Sequence, residues 1–137
     1  MNRLENKILP FLLGAVATYI IIKLFFLGSI LGYADLRKII NDKRSYPLKP
    51  NYTLDLIANC RVKYLVDNNL WTHDGHPICF NKYGVYSYGE ILGQGYTSDY
   101  VLVDAWLNSP THKNVILMKW KYIGIAKLKD ITVVTFK

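Results

Sequence analysis

The chain has 137 residues, 51% hydrophobic and 14% aromatic, with 17 Lys/Arg against 10 Asp/Glu and a formal charge of +7. That composition excludes a disordered chain and leaves room for about one domain. Two cysteines are too few for a disulfide scaffold, and scattered lysines without a nucleic-acid motif argue against nucleic acid as a partner.

Residues 8–32 form a nearly continuous apolar run, interrupted by Lys23 and by Pro10 near its start. Roughly 20 apolar residues span the hydrocarbon core as a helix. The run therefore predicts a single transmembrane anchor within residues 1–34, contacting the lipid bilayer through 8–32, and a folded domain over 35–137. Pro10 falls in the first turn, where a missing N–H costs little, and the stem of Lys23 can snorkel. Arg3, Lys7 and Gly32-Tyr33-Ala34 also fit a cleavable signal peptide, but a retained anchor is preferred. Arg37, Lys38, Lys43, Arg44 and Lys49 favour a cytoplasmic domain by the positive-inside rule. Charges inside a folded domain weigh less, and a single-pass protein with an extracytoplasmic domain is the expectation kept.

Leu36, Ile39 and Ile40 lie at helical spacing between Asp35 and Lys43. Two prolines, Pro47 and Pro50, then force extended backbone. Thr53 reads as the cap of the next helix, with Asp55 in its first turn. Leu54, Ile57, Ala58, Val62 and Leu65 form its apolar face, and Asn68-Asn69 its stop. A loop comes next over 71–76, then an irregular, tyrosine-rich stretch over 77–88. Thr97-Ser98 caps a helix from Asp99 to about Asn108. Ser109-Pro110 reads as cap plus first helical residue of a short helix carrying His112. Residues 122–128 and 131–136 read as strands joined in a hairpin at Lys129-Asp130.

Groups able to do chemistry are scarce. There are three histidines, and beyond residue 34 Glu90 is the lone glutamate. His73 and His112 flank Glu90 along the chain. Brought together, the three form an imidazole–carboxylate–imidazole cluster able to hold a divalent metal such as Zn²⁺ or to act in acid–base chemistry. Proximity of His112 to a helix N-terminus favours a neutral ring. His76 reads as solvent-facing, with a further metal-ligand role available to it. Trp71, Trp106 and Trp120 read as core. Cys60 and Cys79 read as small buried residues with reduced thiols, in preference to a single bridge. No nucleophilic triad or phosphate loop is present: Ser109 reads as a cap with its hydroxyl committed to backbone, and Cys79 has no base beside it.

In their order these pieces resemble the CAP superfamily (cysteine-rich secretory proteins, antigen 5 and pathogenesis-related type 1 proteins), in its bacterial sperm-coating-protein-like form. Leu54, Ala58, Arg61 and Val62 are similar to the family's first core helix. Leu70-Trp71-Thr72-His73-Asp74-Gly75 is similar to its phenylalanine-serine-histidine loop. Tyr88-Gly89-Glu90-Ile91 resembles the glycine-glutamate-asparagine segment. Residues 103–113, ending Ser109-Pro110-Thr111-His112-Lys113, resemble the tryptophan helix and serine-proline-glycine-histidine-arginine motif. Ile123-Gly124-Ile125-Ala126 is similar to the glycine-bearing strand near the end.

The resemblance implies an α+β fold, a three-layer α–β–α sandwich with helices on both faces of a small, mostly antiparallel sheet. It also implies a cleft lined by His73, Glu90 and His112, which in some relatives holds a metal on the histidines. Ile91 and Val115 stand where the family has asparagines, and Thr111 where it has glycine. Losing those amides removes hydrogen bonds that orient cleft groups, which argues against efficient catalysis. Asp104 is a weak match for a second acidic residue of the cleft. The preferred reading is a membrane-anchored binding or structural module at an envelope surface, with a lipid, glycan or protein ligand. Next comes a subunit of a larger membrane assembly with a vestigial cleft, in which Lys23 pairs with a neighbour. A metal-dependent or acid–base hydrolase using His73, Glu90 and His112 ranks last.

Overall fold

The computed structural model describes residues 36–137, so the expected anchor at 8–32 lies outside the described residues. Among the described residues no helix is long and apolar enough to cross a membrane. The elements in order are α1 (described over 36–41), β1 (Lys49–Pro50), α2 (Tyr52–Asp67), α3 (His76–Lys82), β2 (Gly89–Gln94), α4 (Asp99–Asn108), α5 (Pro110–Leu117), β3 (Tyr122–Leu128) and β4 (Ile131–Phe136). They make a mixed α+β unit around a four-stranded sheet of order β1-β3-β4-β2. The short edge strand β1 runs parallel to β3, while β3–β4 and β4–β2 are antiparallel. The hairpin turns at Lys129-Asp130, as its sequence predicts, with Lys129 in the left-handed region at φ 54°.

Strand alternation divides the sheet into two faces. Leu92, Ala126, Ile131 and Val133 share a buried cluster with Ala58, Val62 and Leu65 of α2. Glu90 pairs with Thr135 and Leu92 with Val133, so Glu90 shares the face that α2 covers. The opposite face holds Gly93, whose Cα lies close beneath Leu102 and Trp106 of α4. On that same face Trp120 stacks on Phe136, with ring centroids 6.3 Å apart.

Helix α2 sits almost in contact with the β3 backbone. A Cβ at Gly124 would lie 2.1 Å from the carbonyl carbon of Leu54, so only glycine admits the approach. Thr135 Oγ1 donates to the Leu54 carbonyl at 3.1 Å across the same seam. Where β1 ends, Asp55 Oδ1 accepts the Ile125 N–H at 2.9 Å, satisfying a donor that a longer edge strand would have taken. Burial raises the Asp55 pKa, and the Ile125 N–H and the nearby charge of Arg37 work against that rise.

Several expectations need correction. The cap of α2 is Asn51, whose side-chain oxygen accepts the Leu54 N–H at 3.0 Å; Thr53 lies inside the helix. Its other end lies at the predicted asparagines, with Asn69 left-handed at φ 49° and Leu70 N–H returning to the Leu65 carbonyl. The stretch expected to be irregular contains α3, entered through Gly75 at φ 75° with Pro77 in the first turn. Apolar residues that would reveal this helix are few because only Cys79 and Phe80 are buried in it. The cysteines are not free thiols: Cys60 on α2 and Cys79 on α3 form a disulfide across a sequence separation of 19. Ser98 caps α4 as predicted, accepting the Val101 N–H at 3.3 Å.

Candidate functional site

The site begins inside α2. Its buried positions are 54, 57, 58, 61, 62 and 65, the spacing of one helical stripe, and position 61 is arginine. Arg61 is fully buried, and removing such a cation from water demands partners. It finds two on segments distant in sequence. Nε donates to Glu90 Oε2 at 3.0 Å, and Nη2 donates to the Thr72 carbonyl. Its guanidinium carbon also lies 5.5 Å from the ring centroid of Tyr64.

Glu90, at the start of β2, has a side chain only 4% exposed. Its second oxygen, Oε1, meets His73 Nδ1 at 2.9 Å. An ionised carboxylate can only accept, so Nδ1–H of His73 is the donor and Nε2 is the nitrogen left for other partners. The result is a buried guanidinium, a buried carboxylate and a half-exposed imidazole in series. The His73 loop is also held from its far side, where the backbone N–H and Nδ1 of His76 both reach the His73 carbonyl. His76 is half-buried, with its ring edge-on to Tyr88 at 5.4 Å, so it is not the solvent-facing residue expected. Tyr88 stacks on Phe80 at 3.5 Å, and its pKa is raised by burial and then by the negative charge of Glu90.

His112 arrives from the α4–α5 junction. Trp106 is buried on α4 and donates Nε1–H to the Leu92 carbonyl of β2 at 2.8 Å, pinning the helix to the strand. Pro110 opens α5, but the Ser109 hydroxyl does not cap it. Instead Ser109 Oγ meets His112 Nδ1 at 2.9 Å, which corrects the sequence expectation and leaves Nε2 as the nitrogen this ring can offer. The His112 pKa is lowered, first by burial and then by the charge of His73. The ring is therefore neutral at neutral pH, and those two causes act where the helix terminus was expected to.

His73 and His112 line one cleft of about 720 Å³, with Trp71, Gln94, Tyr96, Trp106 and Ser109 among its other walls. Glu90 is not a wall residue; it stands behind His73 and fixes that ring. Trp71 is 51% exposed and Tyr96 45%, so Trp71 is a cleft residue where core was expected. Asp104 is exposed and holds Asn108 Nδ2 at 3.2 Å, away from the cleft. Among the described residues no group of three His, Cys, Asp or Glu side chains is placed to hold a metal. A metal in the cleft would have His73 and His112 as its imidazole ligands, each ring oriented by an oxygen behind it, and would need water or ligand to complete its coordination.

Sequence reasoning singles out the two histidines and the glutamate, and misses Arg61, Ser109 and Gln94. Only Arg61 announces itself, as a charge at a stripe position where every neighbour is apolar.

No family model matches the sequence, and no curated protein matches it. Solved structures do. An outer surface protein of Borrelia burgdorferi is 30% identical, with 76% of this chain and 86% of that one covered and a TM-score of 0.63. A cysteine-rich secretory protein from Staphylococcus aureus is 23% identical over 75% of this chain, with a TM-score of 0.69. An extracellular protein containing an SCP domain, from Bacillus anthracis, is 20% identical over 65% of this chain, with a TM-score of 0.60. The chain spans only 36% and 33% of the lengths of these last two proteins.

Proposed function

Because the chain belongs to the CAP superfamily, as a bacterial sperm-coating-protein-like domain, we propose that it is an extracytoplasmic binding module tethered by residues 8–32, with the cleft between His73 and His112 as its ligand site. The observation that carries this reading is the commitment of Glu90. Its two oxygens serve Arg61 and His73, so the carboxylate positions a ring and is not free to abstract a proton from a substrate. A hydrolase would need another acid or base in the cleft, and besides the two imidazoles the walls offer only the Tyr96 phenol.

Two further observations support the setting. The relatives include proteins described as extracellular and as an outer surface protein. The Cys60–Cys79 bridge fits an oxidising compartment, and this outweighs the positive-inside argument from lysines and arginines within a folded domain. A divalent metal such as Zn²⁺ would sit on His73 and His112, where it would supply a Lewis acid or a further contact to ligand.

Among ligand classes, the walls favour a glycan. Trp71 and Tyr96 offer partly exposed ring faces, and Gln94, Thr72 and Ser109 add amide and hydroxyl groups with no fixed charge. The test is an NMR titration of the full chain in neutral detergent with a soluble chito-oligosaccharide, a medium-chain fatty acid and Zn²⁺ as separate probes. The sugar is expected to move the His73 and His112 ring signals, and Trp71→Ala to weaken it by about tenfold, the scale of a lost aromatic anchor. Ring signals that move with the fatty acid and not the sugar would overturn the glycan assignment. Rings that answer to no probe would overturn the binding-module reading.

A further inference from the structure

A second hollow lies at a different place in the fold, between the segment after α1 and the end of α5. It measures about 250 Å³ and is lined by Lys43, Arg44, Ser45, Tyr46, Leu117 and Lys119. Three of those six residues are cationic and none is acidic. Arg44 is held rigidly by carbonyls: Nε donates to Tyr46 at 3.1 Å, and Nη2 donates to Met118 at 2.8 Å and more weakly to Trp120 at 3.5 Å. These bonds use two of its nitrogens and fix the plane of the guanidinium. The third nitrogen, Nη1, is buried and has no hydrogen-bond partner. A guanidinium fixed in this way holds its positive charge at the wall of the hollow, beside those of Lys43 and Lys119, where an anion can meet it. Lys119 is positioned beside it, 5.8 Å over the Tyr46 ring.

The rim is apolar. Tyr46 is 61% exposed, Leu117 45% and Met118 51%, adjoining the basic hollow. Cationic groups around a hollow with room for a phosphate, bordered by exposed hydrophobic side chains, match the layered chemistry of a lipid headgroup region. The hollow also begins about a dozen residues after the apolar run ends at Gly32, a short reach for a chain whose residues extend by at most ~3.6 Å each.

We propose that the hollow formed by Lys43, Arg44 and Lys119 binds the phosphate of an anionic lipid headgroup, so that this patch of the domain docks on an anionic membrane surface. This is independent of the His73–His112 cleft, which lies on other elements, and a failure of either leaves the other standing.

The experiment places the full chain with nanodiscs of pure phosphatidylcholine or of phosphatidylcholine with one-third phosphatidylglycerol, and monitors hydrogen exchange of residues 43–46 and 117–121. Retention on the discs after an alkaline wash reports on the anchor separately. With phosphatidylglycerol, exchange in both segments is expected to slow by about tenfold, consistent with several basic side chains meeting an anionic surface, and to recover in high salt. The Lys43→Gln/Lys119→Gln pair, both surface changes that leave Arg44's structural bonds intact, is expected to abolish the protection. Arg44→Gln is expected to do the same. Equal exchange on both kinds of disc overturns the proposal. Protection by inorganic phosphate on pure phosphatidylcholine discs, matching that of phosphatidylglycerol, overturns the lipid assignment in favour of a free-anion site.

Discussion

Replacing Glu90 by leucine isolates the energetic role of the buried pair. Arg61 is fully buried and the Glu90 side chain 4% exposed, so this is an ion pair taken out of water, where removing one partner costs about 3–5 kcal/mol. Glu90→Leu leaves Arg61 buried with only the Thr72 carbonyl as acceptor, and should fall at the upper end of that range. Arg61→Met should cost less, because the stranded Glu90 keeps its hydrogen bond from His73, a half-exposed ring beside which solvent can reach. The double variant removes both charges and leaves chiefly the Thr72 carbonyl without its donor, a loss of roughly 1–3 kcal/mol. It should therefore be more stable than Glu90→Leu alone. Urea unfolding of the full chain in neutral detergent, read by tryptophan fluorescence, measures all three. For a domain of about this size a loss of 3–5 kcal/mol also lowers Tm by roughly 15–30 °C. Glu90→Leu costing under about 1 kcal/mol, or a double variant whose loss equals the sum of the singles, would refute the reasoning.

Other substitutions test separate parts of the structure. Cys60→Ser/Cys79→Ser opens a loop of sequence separation 19, with an expected loss of about 3 kcal/mol in urea unfolding, and the wild type in reductant should move the same way. Gly124→Ala would force a methyl into the Leu54 backbone, with 2.1 Å to its carbonyl carbon, and should cost at least about 3 kcal/mol or prevent folding, read by circular dichroism. His112 has a folded pKa below its ordinary value of 6.5. The unfolded chain therefore binds its proton first as pH falls, so stability is full above about pH 6.5 and declines below it. His112→Gln should flatten that decline in urea midpoints taken across the same range. Ser109→Ala should leave stability within about 1 kcal/mol while changing the ¹⁵N shifts of the His112 ring, since Oγ is the partner of its Nδ1.

Helices α2 and α4 and the final hairpin were legible because their burial has a simple period and their ends carry caps or turn residues, and α5 because Pro110 marks its first turn. Helix α3 was not, since seven residues with two buried positions present no stripe. Strand β2 was hidden for a different reason: Gly93 and Glu90 break its apolar pattern, one to admit α4 and the other to meet Arg61. Both breaks belong to the site. The histidines could be singled out by scarcity alone, but the role of Glu90 could not, because whether a carboxylate faces a cleft or a buried guanidinium depends on which face of the sheet it takes.

That choice of face also explains why the His73 loop is held where it is. Cys60 and Arg61 are adjacent on α2, and the two reach opposite ends of the same segment. Arg61 grips its start through the Thr72 carbonyl and, by way of Glu90, the His73 ring. Cys60 secures the other end, since its bridge to Cys79 fixes α3, whose first residue, His76, binds the His73 carbonyl. The orientation of one cleft imidazole is thus set by consecutive residues of a core helix that never touch the cleft. Reduction of the disulfide and substitution of Arg61 should therefore disturb the same observable, the ring signals of His73, while those of His112, positioned by Ser109 on the other face of the sheet, should stay nearly fixed. Equal disturbance of both rings would mean that the cleft walls move as one body, and that the two-sided clamp on the loop is not what orients His73.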